Sequence, residues 1–240
     1  MENLRSTNID QFQKDAEVSQ SKTLLSSAFG WMFFALGISA TLAYLFGTNL
    51  SLAAPLFNET GKGLSVLGWI VMFAPIGFVL AMSFGWQKLG FIPLLVLFAL
   101  YSAVNGISLS FIFHAYSMGS LVKVFVASSA LFGFMAIVGA TTRTDLSKMG
   151  SMLMMALFGM VIASLINFFT HSSTMDYIIS FVGVIVFTGL TAYDVQKIKN
   201  MDSEYSGETR AKLGLMGALS LYLDFINLFL MLLRLFGKRN

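Results

Sequence analysis

Residues 216–237 read MGALSLYLDFINLFLMLLRLFG, an apolar run with one acid, Asp224, near its middle. Crossing roughly 30 Å of hydrocarbon takes about 20 residues, so this run is long enough to span. An ionisable side chain in lipid is costly and needs a reason. Gly217, Ser220, Asp224, Asn227, Met231 and Arg234 recur at spacings of three and four, which places them on one helical face. The other faces are Leu, Phe and Ile. A helix that is apolar nearly all round with one polar seam suits the centre of a bundle, its seam turned to a cavity or a partner helix.

The preceding apolar run carries a second acid. FTGLTAYDVQKIK, residues 187–199, places Asp194 at the end of a run that begins at Tyr177, with Lys197 and Lys199 directly after it. A carboxylate in such a place is protonated, paired, hydrated or bound to a cation. Asp194 and Asp224 are therefore the leading candidates for function.

Composition agrees with a membrane protein. Hydrophobic residues make up 56% of the 240 positions, charged residues 11%, and 24 positions are Phe. A soluble domain of this size has no interior large enough for that apolar surface. Seven runs qualify as spans: Leu24 to Phe46, Leu64 to Phe84, Leu89 to Phe113, Leu121 to Thr141, Met152 to Thr170, Tyr177 to Tyr193, and Leu215 to Phe236. All must be helices, because open strands in lipid leave backbone groups unpaired. The expectation is an all-α polytopic protein: a polar tail over residues 1–23, one seven-helix domain over 24–236, and a short basic tail over 237–240. The connections leave no room for a soluble catalytic module, and the first 23 residues lack the pattern of a signal peptide.

Lys and Arg set the orientation. With the amino terminus cytoplasmic, Arg5, Lys14, Lys22, Lys88, Arg143, Lys148, Lys197, Lys199, Arg210 and Lys212 lie inside, and Lys62, Lys123, Arg234, Lys238 and Arg239 outside. Ten against five favours this topology. Six crossings with a re-entrant last run would bring the three carboxyl-terminal cations inside, but the length of Leu215 to Phe236 favours seven. The net charge of +3 and pI near 9.1 reflect these loops and their attraction to anionic lipid. No basic stripe with aromatic platforms points to nucleic acid.

The absence of Cys removes disulfides, thiol catalysis and thiolate zinc sites. His114 and His171 fall at the outer ends of the third and fifth runs, where imidazoles are solvated. Small-residue stripes, Ala35–Ser39–Ala43 in the first run and Ser129–Gly133 and Ala136–Ala140 in the fourth, predict close helix approach. Pro75 removes a donor from the second run and predicts a kink. Asn105 with Ser102, and Asn167 with Ser164, put polar groups inside the third and fifth runs. Asn105 joins Ser220 and Asn227 as a candidate for a polar pore seam.

GLTAYDVQKIK (189–199), ALSLYLDFINLFLMLLRLFG (218–237) and TTRTDLSKMG (141–150) resemble the signature stretches of the Bax inhibitor-1 family, the transmembrane Bax inhibitor motif proteins. The likeness runs from about Leu24 to Phe236 and is strongest in the final third. It implies a bacterial member in the inner membrane, with the seventh helix central and the other six around it. It also implies a calcium-permeable leak that responds to pH, without enzyme activity or cofactor. The family's two aspartates, a hydrogen-bonded proton sensor that closes the pore, fall on Asp194 and Asp224. Two carboxyls in contact share a proton and titrate as a unit. Once deprotonated they repel and offer a site to calcium, a hard cation that prefers oxygen ligands.

Prokaryotic relatives can carry an Arg latch near the cytoplasmic end of the second helix. Here Gly85, Trp86 and Gln87 stand there, and Lys88 is the nearest cation, a candidate for a weak latch. If the cytoplasmic boundary lies at Lys197 and Leu215, Asp194 is about 5 Å deep and Asp224 about 13 Å, so contact between them comes from the resemblance alone. Two other classes are open. One is an interaction protein that modulates a membrane protease or a stress response. The other is an intramembrane aspartyl protease, disfavoured because Leu221, Tyr222 and Leu223 precede Asp224 where such enzymes have a Gly-x-Gly-Asp turn.

Overall fold

A computed structural model describes residues 2–58, 63–201 and 205–239, with side chains described from Leu24 onward. Helix α1, Glu2–Thr48, takes the polar amino-terminal segment and the first span together. The side chains of Arg5, Lys14 and Lys22, and all of Lys62, lie outside the described residues. A short α2, Leu50–Ala53, and a 3-10 turn, Ala54–Leu56, lead towards α3, Val66–Gly85, which runs unbroken through Pro75. Then come α4, Phe91–Leu109, its short continuation α5, Phe111–Ala115, and α6, Met118–Thr141. The chain ends with α7, Ser147–Thr170, α8, Ser173–Asn200, and α9, Gly207–Phe236. Among the described residues, seven helices are long and apolar enough to cross a membrane, and the protein is all-α.

The last two helices are longer than their apolar runs. α8 extends to Asn200 and α9 begins at Gly207, because helical hydrogen bonding continues through polar residues once the chain leaves lipid. Ser172 caps α8, its hydroxyl accepting from the Met175 amide at 3.3 Å.

α9 is the most buried of the seven, with 61% of its apolar window inside the bundle against 11% for α3 and 6% for α7. It packs along α8, α1, α6 and α4. Both of its ends are held. At the start, Glu208 Oε1 accepts from the Phe91 amide at 2.7 Å and Lys212 Nζ donates to the Leu89 carbonyl at 3.0 Å. At the finish, Arg234 Nη1 lies 3.3 Å from Asp176 Oδ1 near the start of α8. Just beyond, the Ser117 amide donates to the Lys238 carbonyl at 3.1 Å, and the Lys238 amide donates to Ser120 Oγ at 3.0 Å. α9 therefore begins at one end of the bundle and finishes at the other, which excludes a re-entrant last run.

Close helix crossings form where side chains are small. Ala35, Ser39 and Ala43 are buried, and Gly106 of α4 lies so close to α1 that a Cβ there would come 2.6 Å from the Ser39 carbonyl oxygen. On α6 one of the two expected stripes is packed, Ala136 being buried and Ala140 half-buried against the core, while Ser129 and Gly133 lie on a more open face. Gly133 has open space around it, whereas a Cβ on Gly139 would overlap the Ala192 backbone of α8. Ser128, Phe132, Ala136 and Gly139 form the buried stripe. Both faces of α6 carry small residues at suitable spacing, and rotation about the helix axis selects between them.

A polar knot ties α9 to α1 and α4. Ser39 Oγ donates to the Ser102 carbonyl at 2.7 Å and lies 2.6 Å from Tyr222 Oη, which leaves Tyr222 to donate to Ser39. Asn105 Nδ2 donates to Tyr222 Oη at 2.8 Å. The Tyr222 ring packs edge-on against Tyr101, 5.3 Å between centroids. Tyr222→Phe keeps the ring and removes both hydroxyl contacts. We expect it to lower stability by about 1–2 kcal/mol, read as a lower unfolding temperature in detergent, with unchanged stability as the contrary result.

Candidate functional site

The polar seam of α9 faces α7 and α8 across a cavity of ≈ 700 Å³. Asp194 from α8 and Ser220, Asp224, Asn227 and Met231 from α9 line it, with Met160 and Ser164 from α7 opposite and Phe73 of α3 at the edge. Most of the remaining wall is Leu and Phe. The carboxylates therefore sit against low-dielectric surface, where charge interactions are strong.

The register of α8 on α9 explains how the two acids come to line one cavity. Gly217 lies against Ile198, and Gly183 lies against Met231. Between those contacts, Asp194 is level with Ser220 and Leu221, and Asp224 lies about one turn, ~5 Å, deeper. The larger offset expected from sequence came from placing Leu215 level with Lys197. In the folded protein the residues facing that part of α8 are further along α9.

Asp224 is 5% exposed, and its Oδ2 has no hydrogen-bond partner among the described residues. Buried polar atoms are nearly always partnered, so an orphaned carboxylate oxygen on a cavity wall is unusual. Asp194, half-buried, lines the same cavity. Asn227 donates its amide to the Leu223 carbonyl at 2.8 Å, which leaves its carboxamide oxygen as the group it can offer the cavity. Two carboxylates, a hydroxyl and a carboxamide thus supply oxygen donors of the kind a hard cation takes. No cluster of three or more His, Cys, Asp or Glu occurs among the described residues.

Not every candidate joins the cavity. Asn105 belongs to the Tyr222 knot on another face of α9, so it is a packing residue and is absent from the seam. Lys88 is exposed in the turn after α3, outside the cavity wall, and makes no ion pair among the described residues. A cation on the same helix as Asp194, Lys197, stands one turn further along α8, its ammonium 5.9 Å from the Tyr193 ring centroid. We expect Lys197→Ala to move the pH midpoint of any Asp194-dependent activity upward and Lys88→Ala to leave it in place. The reverse pattern would return the latch to Lys88.

His114 and His171 are exposed. Each lies beside a phenylalanine, Phe57 at 5.4 Å and Phe168 at 6.4 Å. Asn167 serves a turn, accepting from the Ser172 amide at 3.0 Å.

The stretch 141–150 packs directly behind Asp194. Gln196 clamps it, donating to the Thr144 carbonyl and accepting from the Leu146 amide, both at 2.8 Å. Lys199 Nζ donates to the Ala140 carbonyl at 2.7 Å. The Tyr193 ring fills the space beside Gly150. Asp145, in the same loop, accepts from Ser147, which holds its carboxyl below the usual range, so it stays ionised and does not compete as a proton sensor. The role of Gln196 was not read from sequence, because a Gln just past a span has no distinguishing pattern.

Seven helices long and apolar enough to cross a membrane, with two acids from the last two lining one cavity, define the class as a polytopic membrane protein. Residues 21–240 match the family model described as Inhibitor of apoptosis-promoting Bax1. The chain is 40% identical over 239 residues to the inner membrane protein YbhL of Escherichia coli, an alignment covering 97% of this chain and 100% of that one. It is 42% identical over 234 residues to an uncharacterized protein of Borreliella burgdorferi, with 97% and 99% coverage. An uncharacterized protein of Deinococcus radiodurans is 36% identical over 224 residues, with 93% and 94% coverage. The chain belongs to the Bax inhibitor-1 family.

Proposed function

We propose that this protein is a pH-sensitive calcium leak of the bacterial inner membrane, oriented with its amino terminus in the cytoplasm. The observation that carries this reading is the cavity shared by Asp194 and Asp224, with one buried Asp224 oxygen that has no hydrogen-bond partner among the described residues. When the two carboxyls share a proton they hold α8 to α9. Loss of that proton replaces attraction with repulsion and leaves a dianionic site beside Ser220 and Asn227 for calcium as the permeating ion. The leak therefore rises as pH rises.

An intramembrane protease requires backbone opening at its acids. Asp224 sits in the middle of the unbroken α9, which speaks against that chemistry.

The test is calcium flux into proteoliposomes containing only this protein, at several pH values. Flux that increases from acidic to alkaline buffer supports the proposal. No flux at any pH would move the protein to the class of membrane interaction proteins that act on a protease or stress response. His114→Ala and His171→Ala are expected to leave the profile unchanged, since both imidazoles are solvated. A midpoint displaced by either would identify a different titrating group.

A further inference from the structure

The cavity that holds the acids is open sideways. α3 packs on α4 and on the turn before it, and α7 packs on α8, so among the described residues little joins α3 to α7 across the mouth. Phe73, Val161, Leu165, Phe168 and Phe169 line the cavity and are also exposed on the outside of the bundle, which makes the gap between the two helices a door to hydrocarbon. We propose that the cavity is a binding site for a hydrophobic amine that enters from the bilayer between α3 and α7, with its ammonium on Asp224 and Asp194 and its apolar body along α7.

Three observations choose this occupant. First, the charge is one-sided: Asp194 and Asp224 line the cavity with no Lys, Arg or His among the lining residues, and neither acid forms an ion pair among the described residues. Second, the wall beyond the acids is apolar. Tyr193 lies beside Gly150 and Leu153 beside Gly189, which sets the acids level with the start of α7. From Met154 to Phe169, about 22 Å at the helical rise, α7 gives the cavity apolar side chains and one hydroxyl, that of Ser164, which is satisfied by donating to the Met160 carbonyl at 2.8 Å. Third, Asp224 is 5% exposed and its Oδ2 stands unpartnered on this wall. A buried acceptor without a partner calls for a donor, and an ammonium offers N–H donors and no acceptor. The Asn227 carboxamide oxygen, one turn along α9, is a second acceptor for it.

Other fillings leave one part of the site unsatisfied. Water or calcium serves the carboxylates and gains nothing from the Leu and Phe wall. An acyl chain covers the wall and leaves the Asp224 oxygen bare. An amine with an apolar body satisfies both, and ≈ 700 Å³ falls within the range of about 300–1,000 Å³ usual for small-molecule sites with a mostly apolar lining and a few polar groups. The inference rests on the acid site of the calcium reading and not on conduction, so its test reads binding without flux.

The experiment uses the full chain in phosphatidylcholine nanodiscs with a long-chain primary alkylamine that carries a diazirine in its chain. The cross-linked peptides are mapped by mass spectrometry. Labelling of the α7 and α9 segments that line the cavity is expected to saturate, and to fall about tenfold in Asp224→Asn with the loss of a charge-assisted hydrogen bond. Asp145→Asn, which changes an acid outside the cavity, should leave it unchanged. The alcohol with the same chain should give no saturable labelling, and the trimethylammonium analogue, which has the charge and no N–H, should label several-fold less. Val161→Trp fills the mouth from an exposed position with both acids in place. It is expected to lower labelling as well, and it decides the matter should Asp224→Asn fail to fold. Labelling that never saturates, that the alcohol matches, or that both variants leave untouched would overturn the proposal, and equal labelling by the trimethylammonium analogue would overturn the placement of an N–H on Asp224. Calcium flux without amine labelling would sink this inference alone, and saturable labelling without flux would sink only the leak.

Discussion

Asp224→Asn and Asp194→Asn are each expected to abolish the rise of calcium flux with pH. In the proposed mechanism one proton shared between two carboxyls closes the cavity. The ratio of protonated to deprotonated pair changes about tenfold for each pH unit, so the wild-type protein should pass from low to high flux within roughly two units. An Asn amide donates a hydrogen bond at every pH, as the protonated carboxyl does only below the midpoint. Either variant should hold the closed arrangement and keep flux near the acidic wild-type level throughout. The fold should survive, because Asn matches Asp in volume and the site is a cavity wall. A variant that retains the wild-type profile would remove that residue from the sensor. Constant high flux would show that charge repulsion is dispensable for opening.

Gly139→Val should produce the largest loss of stability. A Cβ at Gly139 has no room because the Ala192 backbone of α8 occupies its place, and backbone, unlike a long side chain, cannot swing aside. Separating α6 from α8 also disturbs the hold of Lys199 on the end of α6 and of Gln196 on the segment that follows it. We expect destabilisation of about 3 kcal/mol or more, seen as loss of folded protein or a sharply lower unfolding temperature in detergent. Gly159→Val on α7 is the control: nothing lies within contact distance of a Cβ there, and its unfolding temperature should stay close to the wild type. Equal effects from the two would mean that helix propensity, not the crossing, governs tolerance at these glycines.

Much of the site was legible because a lone charge in an apolar run stands out against its surroundings. Asp194 and Asp224 were found that way, and Ser220 and Asn227 followed from helical spacing with Asp224. Asn105 was misassigned by the same logic. It too is a polar residue within an apolar run, and only the packing of α4 on α1 and α9 turns it towards Tyr222. Lys88 was named as a weak latch because the expected latch belonged to the second helix, while a cation on Asp194's own helix, Lys197, stands one turn away. The contribution of α7 was only partly legible: Ser164 stood out as a polar group inside the fifth run, whereas Met160 resembles the lipid-facing residues beside it.

The amino-acid sequence by itself determined the class, the number of crossings and the identity of the intramembrane acids, because each depends on a local sum: about 20 apolar residues are enough to span, and one carboxylate among them is enough to be conspicuous. Tertiary structure decided which faces meet. The rotation of α6 that buries Gly139 in place of Gly133, and the register of α8 on α9 that brings Asp194 to within a turn of Asp224, arise from interlocking side chains on separate helices. Small and apolar residues stand on several faces of each helix, so the local pattern allows several packings, and the contacts between helices select one.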